Sequence, residues 1–95
     1  MSDGSIRIDV WLFHARICKS RSLAQRMCAD GLVTVDGEAV PKPSRTVRPG
    51  SVVGVVLGRA LRRFRVVAPG ERRGPAPEAR GLYEDMGSGK LPDDM

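Results

Sequence analysis

The stretch from Lys19 to Gly37, KSRSLAQRMCADGLVTVDG, does most to limit what this chain can become. It reads as a basic loop, a capped helix, a glycine stop, a strand and a hairpin turn. Ser22 and Gln25 have capping-box spacing, in which each side chain satisfies a free N–H of the first turn. Ser20 is a rival N-cap two residues earlier. Ala24, Met27 and Cys28 fall on one side of the helix; Ser22, Gln25, Arg26 and Ala29 fall on the other. Gly31 can take the left-handed conformation that ends a helix. Asp36-Gly37 between short apolar runs predicts a type I′ hairpin turn. A helix with a cationic, hydrogen-bonding start, braced by a hairpin, is suited to meeting phosphate.

The flanking segments supply a core for this stretch. Ile6 to Ile17 reads as a first helix, starting near Arg7 or Ile8 with Asp9 in its first turn. Ile8, Trp11, Leu12 and Ala15 mark its main core face. Val10, Phe13 and Ile17 form a second apolar stripe, which predicts cover from another segment, the C-terminal one being the candidate. Leu32–Val35 and Glu38–Val40 are the strands of the hairpin, and Pro41-Lys42-Pro43 stops regular pairing. Ser44 to Val47 continues as an extended arm. Arg48-Pro49-Gly50 is a turn with Pro and Gly in type II positions. Val52–Leu57 is the strongest strand, with Gly54 marking a bulge or close packing. Arg62–Val67 returns, placing Arg63 and Arg65 on one face and Phe64 and Val66 on the other.

Beyond Ala68 the chain reads as an extension. Arg72 to Pro77 is a basic, proline-rich link. Glu78–Met86 predicts a short helix with Ala79, Leu82, Tyr83 and Met86 on one side, and 87–95 reads as a disordered acidic tail. The predicted organisation is a flexible lead over 1–5, one domain over 6–68, an extension over 69–86 and the tail. The fold class is α+β: two N-terminal helices packed on a small, mostly antiparallel sheet, with a short C-terminal helix.

Charge says more about partners than about fold. The net charge is +5, but residues 1–73 carry 14 Lys and Arg against 6 Asp and Glu, whereas 74–95 carry 2 against 5. Thirteen of the basic residues are Arg, whose planar fork suits bidentate phosphate contacts. Arg7 and Arg16 flank the first helix; Lys19, Arg21 and Arg26 surround the start of the second; Lys42, Arg45 and Arg48 lie on the arm. Any one of these is readily explained as a solvated charge, but the cluster as a whole points to nucleic acid. Ser22 and Gln25 add neutral donors for 2′-hydroxyls or phosphate oxygens.

Other function classes find little support. There is no glycine-rich phosphate loop, no Cys/His metal cluster and no nucleophile–base set arguable from spacing, so neither catalysis nor a cofactor is expected. Cys18 and Cys28 sit at apolar helical positions and read as buried free thiols. His14 reads as structural. The start lacks a signal peptide and no apolar run spans a membrane, which predicts a cytosolic protein. A helix-turn-helix DNA binder remains an alternative, but it would leave the hairpin and arm without a role. RNA recognised by shape and backbone accounts for more of the chain.

Four blocks in order, Arg7-Ile8-Asp9-Val10-Trp11-Leu12, Lys19-Ser20-Arg21-Ser22-Leu23-Ala24, Gly31-Leu32-Val33-Thr34-Val35-Asp36-Gly37 and Val47-Arg48-Pro49-Gly50, resemble the alpha-L RNA-binding domain named after small-subunit ribosomal protein S4. Trp11 to Arg16 and Glu71 to Ala79 further resemble the bacterial fifteen-kilodalton heat-shock protein family, extending the similarity to about Met86. Asp36, where Asn is common, and Ser51, where Asp is common, depart from the pattern within turns. The resemblance implies RNA lying along the second helix and adjacent loops, contacted by Arg7, Lys19, Arg21, Ser22, Gln25 and Arg26, with Lys42 and Arg45 as additions. It implies ribosomal RNA as partner, on stalled large subunits carrying peptidyl-tRNA, with recycling of those subunits as the role. The expected protein is a monomer that binds RNA, the alternatives being a general structured-RNA or DNA binder, or an accessory subunit of an RNA-modifying enzyme.

Overall fold

Three turns fix the chain path, and each follows from local chemistry. The computed structural model describes residues 4–90. Asp36 and Gly37 take φ of 51° and 89°, the paired left-handed conformations of a type I′ turn. They join β2 (Val33–Val35) to β3 (Glu38–Ala39). At the second turn, the Ser51 amide bonds the Arg48 carbonyl at 2.9 Å, with Gly50 at φ 100°. The third turn joins β5 (Val52–Leu57) to β6 (Ala60–Val66). With a last strand, β7 (Tyr83–Lys90), the resulting five-stranded sheet has the order β3-β2-β5-β6-β7, with every neighbouring pair antiparallel.

The first helix, α1 (Ile8–His14), is shorter than its periodicity predicted. Ile6 and Arg7 form β1 and pair with β4 (Thr46–Val47). At the other end Arg16 takes φ 62°, while the Ile17 and Cys18 amides both reach back to the Leu12 carbonyl. That left-handed residue closes the helix where glycine is usual. The expected core face, Ile8, Trp11, Leu12 and Ala15, is buried. It meets α2 (Arg21–Ala29) through Ala24, Met27 and Cys28, and the sheet through Val33, Val35, Val53, Val55, Phe64 and Val66. Cys18 and Cys28 are buried free thiols, and Cys18 Sγ lies 3.7 Å from Met27 Sδ. Burial, with Cys28 nearby, pushes the Cys18 thiol up to about 11.

The C-terminal segment departs most from expectation. Its helix is α3 (Ala76–Ala79), with a 3-10 turn over Arg80–Leu82, and it stops before Tyr83. Pro77 falls in its first turn, where a missing N–H is harmless. Tyr83–Lys90 then forms β7, a strand where the sequence predicted the end of a helix and a tail. The predicted tail beyond Lys90 lies outside the described residues. Across the β6–β7 pairing, Arg65 contacts Glu84 at 2.8 Å and Arg62 contacts Asp85 at 2.6 Å. Tyr83 packs edge-on to Phe64 with ring centroids 5.1 Å apart.

Cover for the second stripe of α1 comes in part from the C-terminal segment, as expected, but through Arg73. Val10, Phe13 and Ile17 are half-buried, and Ile17 packs on the core. The Arg73 guanidinium lies 5.1 Å from the centre of the Phe13 ring. Leu82 packs on the core near Gly70, Tyr83 faces Phe64, and Met86 is exposed. Three donors from α1 and its end hold the extension instead. Trp11 Nε1 bonds the Ala68 carbonyl at 3.0 Å, His14 Nδ1 the Pro69 carbonyl at 3.2 Å, and Arg16 Nε the Gly74 carbonyl at 2.6 Å.

Candidate nucleic-acid interface

The start of α2 is capped by Ser20, whose Oγ accepts the Leu23 amide at 3.0 Å. The rival N-cap therefore wins, and the Ser22–Gln25 capping box does not form. Ser22 lies inside the helix, exposed, on one face with Arg26 at the i, i+4 spacing. Arg21 and Gln25 share the neighbouring face at the same spacing, turned toward α1. The Arg21 and Ser22 amides carry no hydrogen bond among the described residues.

Arg21 and Gln25 are turned toward Asp9, which has no solvent exposure. Gln25 Nε2 donates to Asp9 Oδ2 at 2.9 Å, and Arg21 Nη2 stands 3.7 Å from the same oxygen. From β1, Arg7 donates two parallel bonds: Nε to Oδ1 at 3.1 Å and Nη2 to Oδ2 at 3.0 Å. The Val10 amide adds a bond to Oδ1 at 2.8 Å. Burial pulls this carboxyl upward, yet the Gln25 amide, the Arg7 guanidinium and the Val10 amide together outweigh it. They hold Asp9 below the usual carboxylate range.

Sequence reasoning placed Asp9 in a first helical turn but missed this junction. The signal was present: Asp9 lies three residues before Leu12, on the buried side, where a charge persists only beside partners. Those partners, Arg21 and Gln25, lie more than ten positions away and cannot be paired with it by spacing.

The arm approaches the same region. The Arg45 carbonyl accepts the Ile8 amide at 2.7 Å and the Pro43 carbonyl accepts the Asp9 amide at 3.3 Å, so backbone from the arm caps α1. The β1–β4 register sets Arg7 opposite Thr46, next to Arg45. Beside the arm, Ser5, Asp36, Arg45, Thr46, Arg48 and Ser51 line a polar cleft of about 430 Å³.

The eight expected residues thus fall into three sets. Arg7, Arg21 and Gln25 meet at Asp9; Lys19 and Ser22 are exposed at the start of α2 and Arg26 one turn beyond Ser22, in its last turn; Lys42 and Arg45 are exposed on the docked arm. Arg7 and Arg21 keep 46% and 49% of their side-chain surface open, so both reach solvent while anchored. Such a surface offers cations, hydroxyl and amide donors to an anionic chain.

A helix pair on a hairpin-led sheet, with this basic face, has the architecture of an S4 domain, and the S4 domain family matches residues 6–53. A heat shock protein 15 homolog of Aeromonas salmonicida is 39% identical over 80 residues, covering 84% of this chain and 60% of that one. The Vibrio cholerae heat shock protein 15, described as trimeric, superposes with a TM-score of 0.80 at 34% identity, over 86% of this chain and 82% of that one. The small ribosomal subunit protein uS4 of Porphyromonas gingivalis is 41% identical over 49 residues, or 52% of this chain and 24% of that one. The chain belongs to the heat shock protein 15 family of S4-domain proteins. It spans between 59 and 66% of the length of the heat shock protein 15 relatives it matches in sequence.

Proposed function

We propose that this chain is a non-catalytic binder of structured RNA, using the face built from β1, the start of α2 and the arm. The observation that carries the reading is the convergence of Arg7 and Arg21 at Asp9 beside the start of α2, with Lys19 and Ser22 exposed at that start and Arg26 exposed one turn beyond Ser22. Membership of the S4-domain family supports it. Arg7, Lys19, Arg21, Arg26, Lys42 and Arg45 contact phosphates, and Ser22 and Gln25 bond sugar and backbone groups. The RNA is ribosomal, on large subunits that have stalled in the cytosol with peptidyl-tRNA still bound, and the protein aids their recycling after heat stress. It binds there as a monomer.

Co-sedimentation with large ribosomal subunits, empty and loaded with peptidyl-tRNA, tests this at physiological salt, with duplex DNA as competitor. Preferential pelleting with loaded subunits is the expected result. Equal binding to both subunits removes the recycling role and leaves a general RNA binder; preference for DNA removes the RNA reading. Light scattering at the assay concentration checks the monomer against the trimer described for the Vibrio cholerae relative.

A further inference from the structure

We propose that Asp9 is a positioning residue for RNA, fixing from within the fold the direction in which Arg7, Arg21 and Gln25 face the nucleic acid. The inference rests on the proposal that this face binds RNA. Arg7 has five N–H donors in a rigid fork, and Asp9 engages it through the Nε–Nη2 edge. Three N–H groups remain on a side chain that is still 46% open. Gln25 likewise gives Asp9 one amide hydrogen and keeps the other. Because β1 and α2 both reach the same carboxylate, the guanidinium on one element is held in register with the side chains on the other. An apolar residue at this buried point would satisfy packing without desolvating a charge. The carboxylate adds orientation, so side chains that would otherwise sample many rotamers meet a phosphate already ordered.

An opposing effect makes the idea testable by sign. Asp9 is also a negative charge near a polyanion. Through a solvent-like dielectric, its removal should strengthen RNA binding by about twofold. Loss of two ordered charge-assisted contacts should weaken binding by about tenfold or more.

The experiment measures fluorescence-anisotropy binding of the full chain to a labelled RNA stem-loop, with thermal unfolding as a check on folding. Asp9→Asn is expected to bind at least about tenfold more weakly. Affinity equal to wild type, or tighter, overturns the inference. In an Arg7→Ala, Arg21→Ala, Gln25→Ala background the same change should no longer weaken binding, because the groups it orients are gone. An undiminished loss in that background means a purely structural role and also overturns it. If Asp9→Asn does not fold, Arg7→Lys serves: it keeps the charge at an exposed site but loses the two-pronged grip. Binding about fivefold weaker is expected there, and unchanged affinity overturns the proposal. Failure of the wild-type chain to bind the stem-loop at all is a separate result and rejects the RNA reading itself.

Discussion

Asp9 carries its charge without solvent exposure, and its partners hold it below the ordinary aspartate value of 3.8. A carboxyl whose folded pKa is depressed adds stability that is complete above the unfolded value and lost as pH falls through the folded one. Urea unfolding from about pH 6 to pH 2.5 should therefore show a wild-type plateau that declines below about pH 4. Asp9→Asn should lie about 2–4 kcal/mol lower at pH 6, with the gap narrowing as the pH falls toward the depressed folded value of Asp9. Asp85, lowered by the Gly87 amide and by Arg62, is present in both proteins and cancels in the comparison. A gap of equal size at both ends of the range would mean that Asp9 acts through shape and not charge. Cations gathered at a helix start are legible from the sequence because they are neighbours along the chain. The carboxylate beneath them was not, because its meaning depends on how two helices meet.

At the scale of elements, the legible parts were those encoded by local chemistry. Asp36-Gly37 and Arg48-Pro49-Gly50 specify their turns, and the alternation of Arg63 and Arg65 with Phe64 and Val66 specifies a half-buried strand. Gly54 could be read either as a bulge or as a close approach, and it is the latter: a Cβ there would collide with Thr34 Oγ1 on β2. Gly54→Ala should cost about 1–3 kcal/mol, with most of the loss recovered by adding Thr34→Ala. Denaturant melts of the two single variants and the double give the coupling; simple additivity would show that the contact is not what requires glycine. The strand β7 was illegible for the opposite reason. Tyr83-Glu84-Asp85-Met86-Gly87-Ser88-Gly89-Lys90 has no apolar alternation and, after Tyr83, no good strand formers. Its attachment comes from β6, where arginines face its acids and Phe64 meets Tyr83, and those partners lie about twenty residues upstream.

Across the whole molecule, the same acids explain why the surface is electrically lopsided. Glu78, Glu84 and Asp85 pair with Arg72, Arg65 and Arg62, so much of the charge on β6 and the extension is matched locally. Lys19, Arg26, Lys42 and Arg45 form no ion pair among the described residues, and Arg7 and Arg21 share one buried carboxylate. The arm leaves the sheet at β3, the edge opposite β7, so Lys42 and Arg45 lie apart from the Arg62–Asp85 and Arg65–Glu84 pairs. Counterion release makes that separation measurable, since each phosphate contact contributes about one unit to the log–log slope of affinity against salt. Six contacts, from Arg7, Lys19, Arg21, Arg26, Lys42 and Arg45, predict a slope of about −5 and roughly a thousandfold loss of RNA affinity between about 50 and 200 mM salt. Arg26→Ala and Lys42→Ala should each flatten the slope by about one unit, and Arg21→Glu by at least that much. Arg65→Ala should leave it unchanged, because that charge is already held by Glu84. Equal flattening by Arg65→Ala and Arg26→Ala would show that RNA follows net charge over the entire surface, and the face at the start of α2 would lose its claim to be the binding site.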